Sequence, residues 1–81
     1  MGYIVKEEEL LAREVRRRGL FVTEQEARMV LANAVEQAYD FNPQLATANV
    51  RQEIENAVRD GRKDCCDAKG NLVCRYTIEQ E

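Results

Sequence analysis

The chain of 81 residues contains no histidine and no tryptophan, and it has a single proline. Histidine is the side chain that most readily gains and loses a proton near neutral pH, so its absence removes the commonest general base. The sequence also lacks the G-x-x-x-x-G-K phosphate loop and any glycine-rich turn between a strand and a helix. We therefore expect a protein that is not an enzyme and that needs no cofactor.

Long apolar runs are absent as well. No stretch approaches the roughly 18 consecutive apolar residues that a transmembrane helix requires. The N-terminal sequence MGYIVKEEE becomes acidic at once, whereas a secretory signal begins with basic residues and continues with apolar ones. These features predict a cytoplasmic protein with no membrane partner.

The chain has three cysteines, Cys65, Cys66 and Cys74. In the cytoplasm we expect reduced thiols rather than a disulfide framework. A structural zinc site needs four ligands, and adjacent residues of a strand point to opposite faces, so Cys65 and Cys66 do not suit one metal ion. We expect no metal site. A zinc-stabilised hairpin is the alternative, and metal analysis of the purified protein would decide between them.

The composition, 44% apolar and 33% charged, is typical of an ordered globular domain. The length predicts one small domain, residues 1–81, whose core leaves little room for a deep substrate cavity. The formal net charge is −3, and neither half of the chain is basic. This balance differs from the strong positive charge of a typical nucleic-acid-binding domain.

The clearest pattern lies in residues 24–41, where apolar residues recur at steps of one and three and predict a helix with one apolar stripe. Thr23 can cap this helix, and Glu26 completes a capping box. Pro43 should end it, because proline disfavours helix in the residue before it. The stripe predicts a core face, with a homodimer seam as the alternative. Its residues are Ala27, Val30, Leu31, Ala34, Val35, Ala38 and Phe41.

Residues 6–18 predict a first helix. Three glutamates lie in its first turn and three arginines in its last, an order that complements the helix dipole. Gly19 suits a left-handed residue at the end of the helix. The arginine triplet also suggests phosphate binding, but a solvated helix end is the simpler interpretation.

Residues 48–60 predict a third helix, which Gly61 closes. The period then changes, because apolar residues alternate from Leu72 to Ile78 and predict a strand. A turn at residues 67–71 would join this strand to residues 63–66 in a hairpin over 63–78. In that register Cys66 lies opposite Leu72 and Cys65 opposite Val73. We therefore expect an α+β fold that is mainly α, with three helices and a C-terminal β-hairpin.

The sequence VRQEIENAVRDGR, followed by DCCDAKGNLVCRYTI, resembles the recognition helix and wing of a winged helix-turn-helix domain. The resemblance rests on the order of elements and implies DNA binding as one function, although winged helices also bind proteins. Glu53 and Glu55 depart from the pattern because their negative charges would repel the phosphates of DNA. A three-helix packing with an unrelated hairpin is the alternative fold. The resemblance implies DNA contacts at Asn49, Arg51, Gln52, Asn56, Arg59, Lys69 and Arg75.

The DNA-binding hypothesis, a winged-helix transcriptional regulator, requires its basic residues to converge on one face. Those residues are Arg51, Arg59, Arg62, Lys63, Lys69 and Arg75. If the fold instead places them beside carboxylates, this hypothesis loses its main support.

The function that the sequence favours is a non-catalytic regulatory module that binds another protein. Small inhibitors of host machinery in phages and mobile elements have this profile. Arg16, Arg17 and Tyr39 are the candidate interface residues, and for Tyr39 a place at the margin of the core is an equal alternative.

Overall fold

The structure is a computed structural model, and it describes residues 2–10, 13–21, 23–45 and 49–80. It contains four strands and two helices with similar numbers of residues. The chain is compact, with a Cα radius of gyration of 12.2 Å. In chain order the elements are β1 (Tyr3–Glu9), β2 (Glu14–Phe21), α1 (Glu24–Phe41), α2 (Val50–Asp60), β3 (Arg62–Cys66) and β4 (Leu72–Gln80).

The four strands form one antiparallel sheet in the order β2-β1-β4-β3. Helix α1 contacts β1, β2 and β4, and α2 contacts α1 and β3. The core lies between this helix layer and the sheet, where Val5, Leu31, Val35 and Cys65 are fully buried. Because strands pair on both sides of β1 and β4, their backbone groups are bonded without help from side chains.

The prediction of a first helix over residues 6–18 is wrong, because these residues form most of β1 and β2. The local sequence favours a helix, but residues 3–9 pair with residues 74–80 of β4 at the other end of the chain. This pairing buries Val5 opposite Ile78, which an isolated helix cannot do. Tertiary pairing therefore overrides helix propensity here.

Gly19 has the left-handed conformation that the sequence predicts, with φ of +53°, but in a strand rather than at the end of a helix. Val5 pairs with Arg18 and Tyr3 with Phe21, so Gly19 and Leu20 together face Ile4. Such a two-against-one arrangement is a β-bulge, whose first position commonly holds a left-handed glycine.

Helix α1 begins and ends where the sequence predicts. The hydroxyl of Thr23 accepts from the backbone N–H of Glu26 at 3.2 Å and caps the helix. Five stripe residues are buried against the sheet: Ala27, Leu31, Ala34, Val35 and Ala38. Val30 is only half-buried and Phe41 is exposed, so the apolar stripe is wider than the face that the core covers.

Helix α2 begins at Val50, and the side chain of Asn49 caps it by accepting from the N–H of Gln52 at 3.1 Å. The sequence placed the start at residue 48, which lies outside the described residues. Gly61 ends the helix in the left-handed conformation. Arg28 of α1 donates to the carbonyls of Val58 and Arg59, so the first helix satisfies carbonyls at the end of the second.

The hairpin β3–β4 turns at Asp67, whose carboxylate accepts from the backbone N–H groups of Lys69 and Asn71, each at 2.9 Å. Cys66 lies opposite Leu72, as the sequence predicts. Cys65, however, lies opposite Cys74 and not Val73, because the register shifts by one residue between Cys65 and Cys66. The prediction missed this irregularity, which brings two cysteines to one face.

The predicted fold class, mainly α with three helices, is therefore wrong. The described part of the chain has two helices on one face of a four-stranded antiparallel sheet. The element order behind the winged-helix resemblance began with a helix, and the structure begins with two strands instead.

Candidate protein-binding surface

A cleft of about 190 Å³ lies between the C-terminal half of α1 and the ends of β1 and β2. Helix α1 supplies one wall, and the sheet supplies the floor. The lining residues are Glu7, Glu9, Arg16, Ala34, Gln37, Ala38, Phe41, Asn42 and Tyr76.

Phe41 stands at the rim of this cleft with 80% of its surface exposed. It also lines a neighbouring depression on α1 with Val30, Asn33 and Gln37. Asn42 follows it and holds the helix end by donating from Nδ2 to the carbonyl oxygen of Ala38 at 2.8 Å. The result is a large aromatic ring exposed to water at the end of α1. We refer to Phe41 and the cleft beside it as the Phe41 cleft.

The floor of the Phe41 cleft carries charges of both signs. Glu7 is 8% exposed and lies between Arg16 on β2 and Tyr76 on β4. Arg16 extends into solvent and pairs with Glu14, with 3.0 Å between its Nη2 and the carboxylate Oε2. The cleft therefore offers an apolar anchor beside groups that can hydrogen-bond a polar or charged partner.

Arg17, the second predicted interface residue, lies on the other face of the sheet, because successive residues of a strand alternate. Its Nε is 3.6 Å from the carboxylate of Glu79, which also lies 3.6 Å from Nζ of Lys6. No described helix covers this face, and ion pairs cross it. The structure thus places Arg16 and Arg17 on opposite faces of the sheet.

Tyr39 is half-buried and packs against the core. Burial raises the pKa of Tyr39 above its usual value, and the nearby Cys65 raises it further. Burial likewise raises the pKa of Cys65 to about 12 and raises the pKa of Cys74. Both buried cysteines are therefore protonated thiols at neutral pH, a form that is a poor nucleophile.

Of the seven residues that the winged-helix resemblance suggested for DNA contact, five lie on or beside α2, whereas Lys69 and Arg75 lie on the hairpin. Asn49 caps α2, and Gln52 donates to Asn56 along the same helix at 3.0 Å. Lys69 lies in the turn between β3 and β4. Arg75 lies on the sheet face away from the helices, with Nε 3.0 Å from the carboxylate of Asp64.

Four of the six basic residues that DNA binding would need to converge are paired with carboxylates. Nε of Arg59 lies 2.9 Å from the carboxylate of Asp60. Arg62 and Arg75 both form ion pairs with the carboxylate of Asp64. Lys63 pairs with Glu53 of α2. Arg51 lines a groove with three carboxylates, those of Glu36, Asp40 and Glu55. This scatter does not favour a phosphate-binding face.

Sequence reasoning missed two features of the site. The sequence predicts that Phe41 belongs to the core because it continues the apolar stripe, and it predicts Glu7 in the first turn of a helix. The position of Phe41 directly before Asn42 and Pro43, at the end of the helix, is a signal that could have suggested exposure. Nothing in the local sequence marks Glu7, because its burial depends on pairing with β2 and β4.

In the described part of the chain, no group of three or more cysteine, aspartate or glutamate residues is arranged to hold a metal ion. Neither described helix is long and apolar enough to cross a bilayer. Comparison of the chain with models of protein families, with curated proteins and with solved structures finds no match.

Proposed function

We propose that this chain is a non-catalytic regulatory module that binds another protein through the Phe41 cleft. The observation that carries the proposal is Phe41, an aromatic ring 80% exposed at the rim of a cleft. Burial of a phenylalanine side chain on binding contributes about 1.5–3 kcal/mol, and aromatic residues are enriched in protein interfaces. A partner that covers the ring gains this free energy.

The polar groups around Phe41 support the same function. Arg16, Gln37 and Glu9 line the same cleft and can hydrogen-bond a partner at the edge of the interface. In protein complexes a few central residues supply most of the binding energy, and the polar rim adds specificity. We assign Phe41 the first role and Arg16 the second. The mechanism is occlusion, in which the module covers a surface that its partner needs.

We further propose that the module acts in the cytoplasm, where its three cysteines stay reduced. Cys65, Cys66 and Cys74 are free thiols, and Cys65 and Cys74 are buried. Inhibition of host machinery by a phage or mobile element is one setting in which a small occluding module acts. DNA binding is the competing hypothesis, and the experiment below distinguishes it.

The test is to select, from a library of random linear peptides, those that bind the whole chain. Such peptides usually bind at surfaces that also bind proteins. Nuclear magnetic resonance then maps each selected peptide through changes in backbone amide shifts. We expect the largest changes at Phe41 and Gln37 on the wall of the cleft and at Arg16 on its floor. Shifts confined to the open sheet face or to α2 would contradict the proposal, as would failure to select any peptide.

A short DNA duplex at low salt is the parallel probe. We expect no saturable binding, since four of the six relevant basic residues already pair with carboxylates. Binding that weakens steeply with salt and shifts the amides of α2 would favour the DNA-binding hypothesis instead.

A further inference from the structure

Strand β2 has a free outer edge. It is the first strand in the order β2-β1-β4-β3, and none of the described residues pairs with its outer side. The strand spans Glu14–Phe21, long enough for an extended segment of six or more residues to pair with it. The other edge strand, β3, is shorter, and its Arg62 already approaches Asp64.

The hydrogen-bond pattern shows which backbone groups of β2 point outward. Leu10 donates its N–H to the carbonyl oxygen of Val73 at 3.0 Å, and alternate residues of a strand bond to opposite neighbours. Glu7 and Glu9 therefore bond to β2, through Arg16 and Glu14. The residues that alternate with them in β2, Val15 and Arg17, direct their N–H and carbonyl groups away from the sheet.

This edge carries a concentration of positive charge. Residues 13–18 hold four arginines and one glutamate, whereas the other 75 residues hold eight basic and 14 acidic residues. Arg16 and Arg17 have exposed side chains on the two faces of the strand, each beside one carboxylate, that of Glu14 or Glu79, and each open to a second on its solvent side. The edge is thus basic on a chain that is otherwise acidic.

These features select one kind of partner. A second copy would bring the same arginines against this edge, and like charges opposite one another destabilise strand pairing. Nucleic acid would use the arginines but would leave the outward carbonyls of Val15 and Arg17 without donors. An extended acidic peptide satisfies both the backbone groups and the charges.

We infer that the outer edge of β2 accepts an extended acidic segment of a partner protein as a fifth strand of the sheet. Two adjacent carboxylates of that segment would face Arg16 and Arg17, one on each side of the sheet. The inference rests on the proposed function and adds the chemistry of the partner, because Arg16 belongs to both the edge and the Phe41 cleft.

The test uses a fluorescent eight-residue peptide of valine and threonine with two glutamates at its centre. A second peptide carries two lysines there. Val15→Pro removes an outward N–H without touching a bond to β1, and proline is tolerated at such positions of edge strands. Val15→Ala is the matched control, because it shortens the same exposed side chain, 52% exposed, but keeps the backbone N–H.

We expect the acidic peptide to bind the whole chain at least tenfold more tightly than the lysine peptide. Val15→Pro should weaken binding at least tenfold, and Val15→Ala should leave it within about twofold. Absence of saturable binding of the acidic peptide at millimolar concentration, or equal binding to both variants, would overturn the inference. So would tighter binding of a single-stranded oligonucleotide, or dimerisation of the chain that Val15→Pro abolishes.

Amide hydrogen exchange of the unmodified chain gives a readout that does not depend on the folding of a variant. Without peptide, the N–H groups of Val15 and Arg17 should exchange fast and that of Arg16 slowly. With peptide, Val15 and Arg17 should become protected as well, and unchanged exchange at both would overturn the inference. If selected peptides shift Phe41 but leave these two amides unprotected, the proposed function stands and the edge inference fails.

Discussion

Cys65 and Cys74 lie directly opposite each other on β3 and β4, and both are buried against the helices. Cys66, the adjacent residue, is only half-buried. Because burial raises the pKa of Cys65 to about 12 and raises that of Cys74, both are thiols and not thiolates at neutral pH. We expect iodoacetamide to label Cys66 first in the native chain, with mass spectrometry as the measurement. Equal labelling of all three would contradict this arrangement.

The same burial predicts how stability depends on pH. The pKa of Cys65 rises from its ordinary value of 9.0 to about 12 on folding. The folded chain therefore keeps this proton to a higher pH than the unfolded chain does. This contribution is fully present below pH 9 and is lost as the pH rises from 9 towards 12. Urea denaturation across this range should show falling stability, and Cys65→Ala should flatten the decline.

Gly19→Ala should destabilise the fold. The glycine has φ of +53°, where an alanine costs about 1–2 kcal/mol. A Cβ there would also lie 3.2 Å from the ring of Phe21. Gly70→Ala is the control, because Gly70 also has positive φ but has nothing within 4 Å of its Cβ position. In urea denaturation Gly19→Ala should lower the free energy of unfolding by more than Gly70→Ala does. Equal losses would show that the contact with Phe21 is unimportant.

Arg28→Ala should weaken the packing of α1 on α2. The guanidinium donates to the carbonyl oxygens of Val58 and Arg59, and hydrogen bonds to charged groups contribute about 1.5–3 kcal/mol. We expect a loss at the lower end, since Arg28 is partly exposed. Arg51→Ala, an exposed arginine of α2, should change the free energy of unfolding by less than about 0.5 kcal/mol. A similar loss in both variants would contradict this role for Arg28.

The two helices could be predicted from sequence because their signals are local. The apolar stripe of α1 and the cap at Thr23 lie within a few turns of each other, and the same holds for Gly61 at the end of α2. The helix predicted for residues 6–18 is wrong for the opposite reason. Their glutamates, leucines and arginines favour a helix, and only the distant strand β4 makes them strands.

The candidate site was less predictable than the fold. A helical pattern indicates which residues share a face but not where the sheet beneath that face ends, so Phe41 was assigned to the core. The sequence predicts Arg16 and Arg17 in the last turn of a helix, but they lie in a strand, on opposite faces of the sheet. The shift of register between Cys65 and Cys66 could not be predicted either, because no residue of the turn indicates it.

The most direct test of the central claim compares the affinity of Phe41→Ala and Met29→Ala for the peptides selected on the unmodified chain. Both side chains are exposed on α1, at 80% and 63%, but Met29 lines neither the cleft nor the depression beside it. Neither change should alter stability by more than about 0.5 kcal/mol. Phe41→Ala should weaken binding at least tenfold while Met29→Ala leaves it unchanged. Equal affinity of the two variants would show that the partner does not bind at the Phe41 cleft.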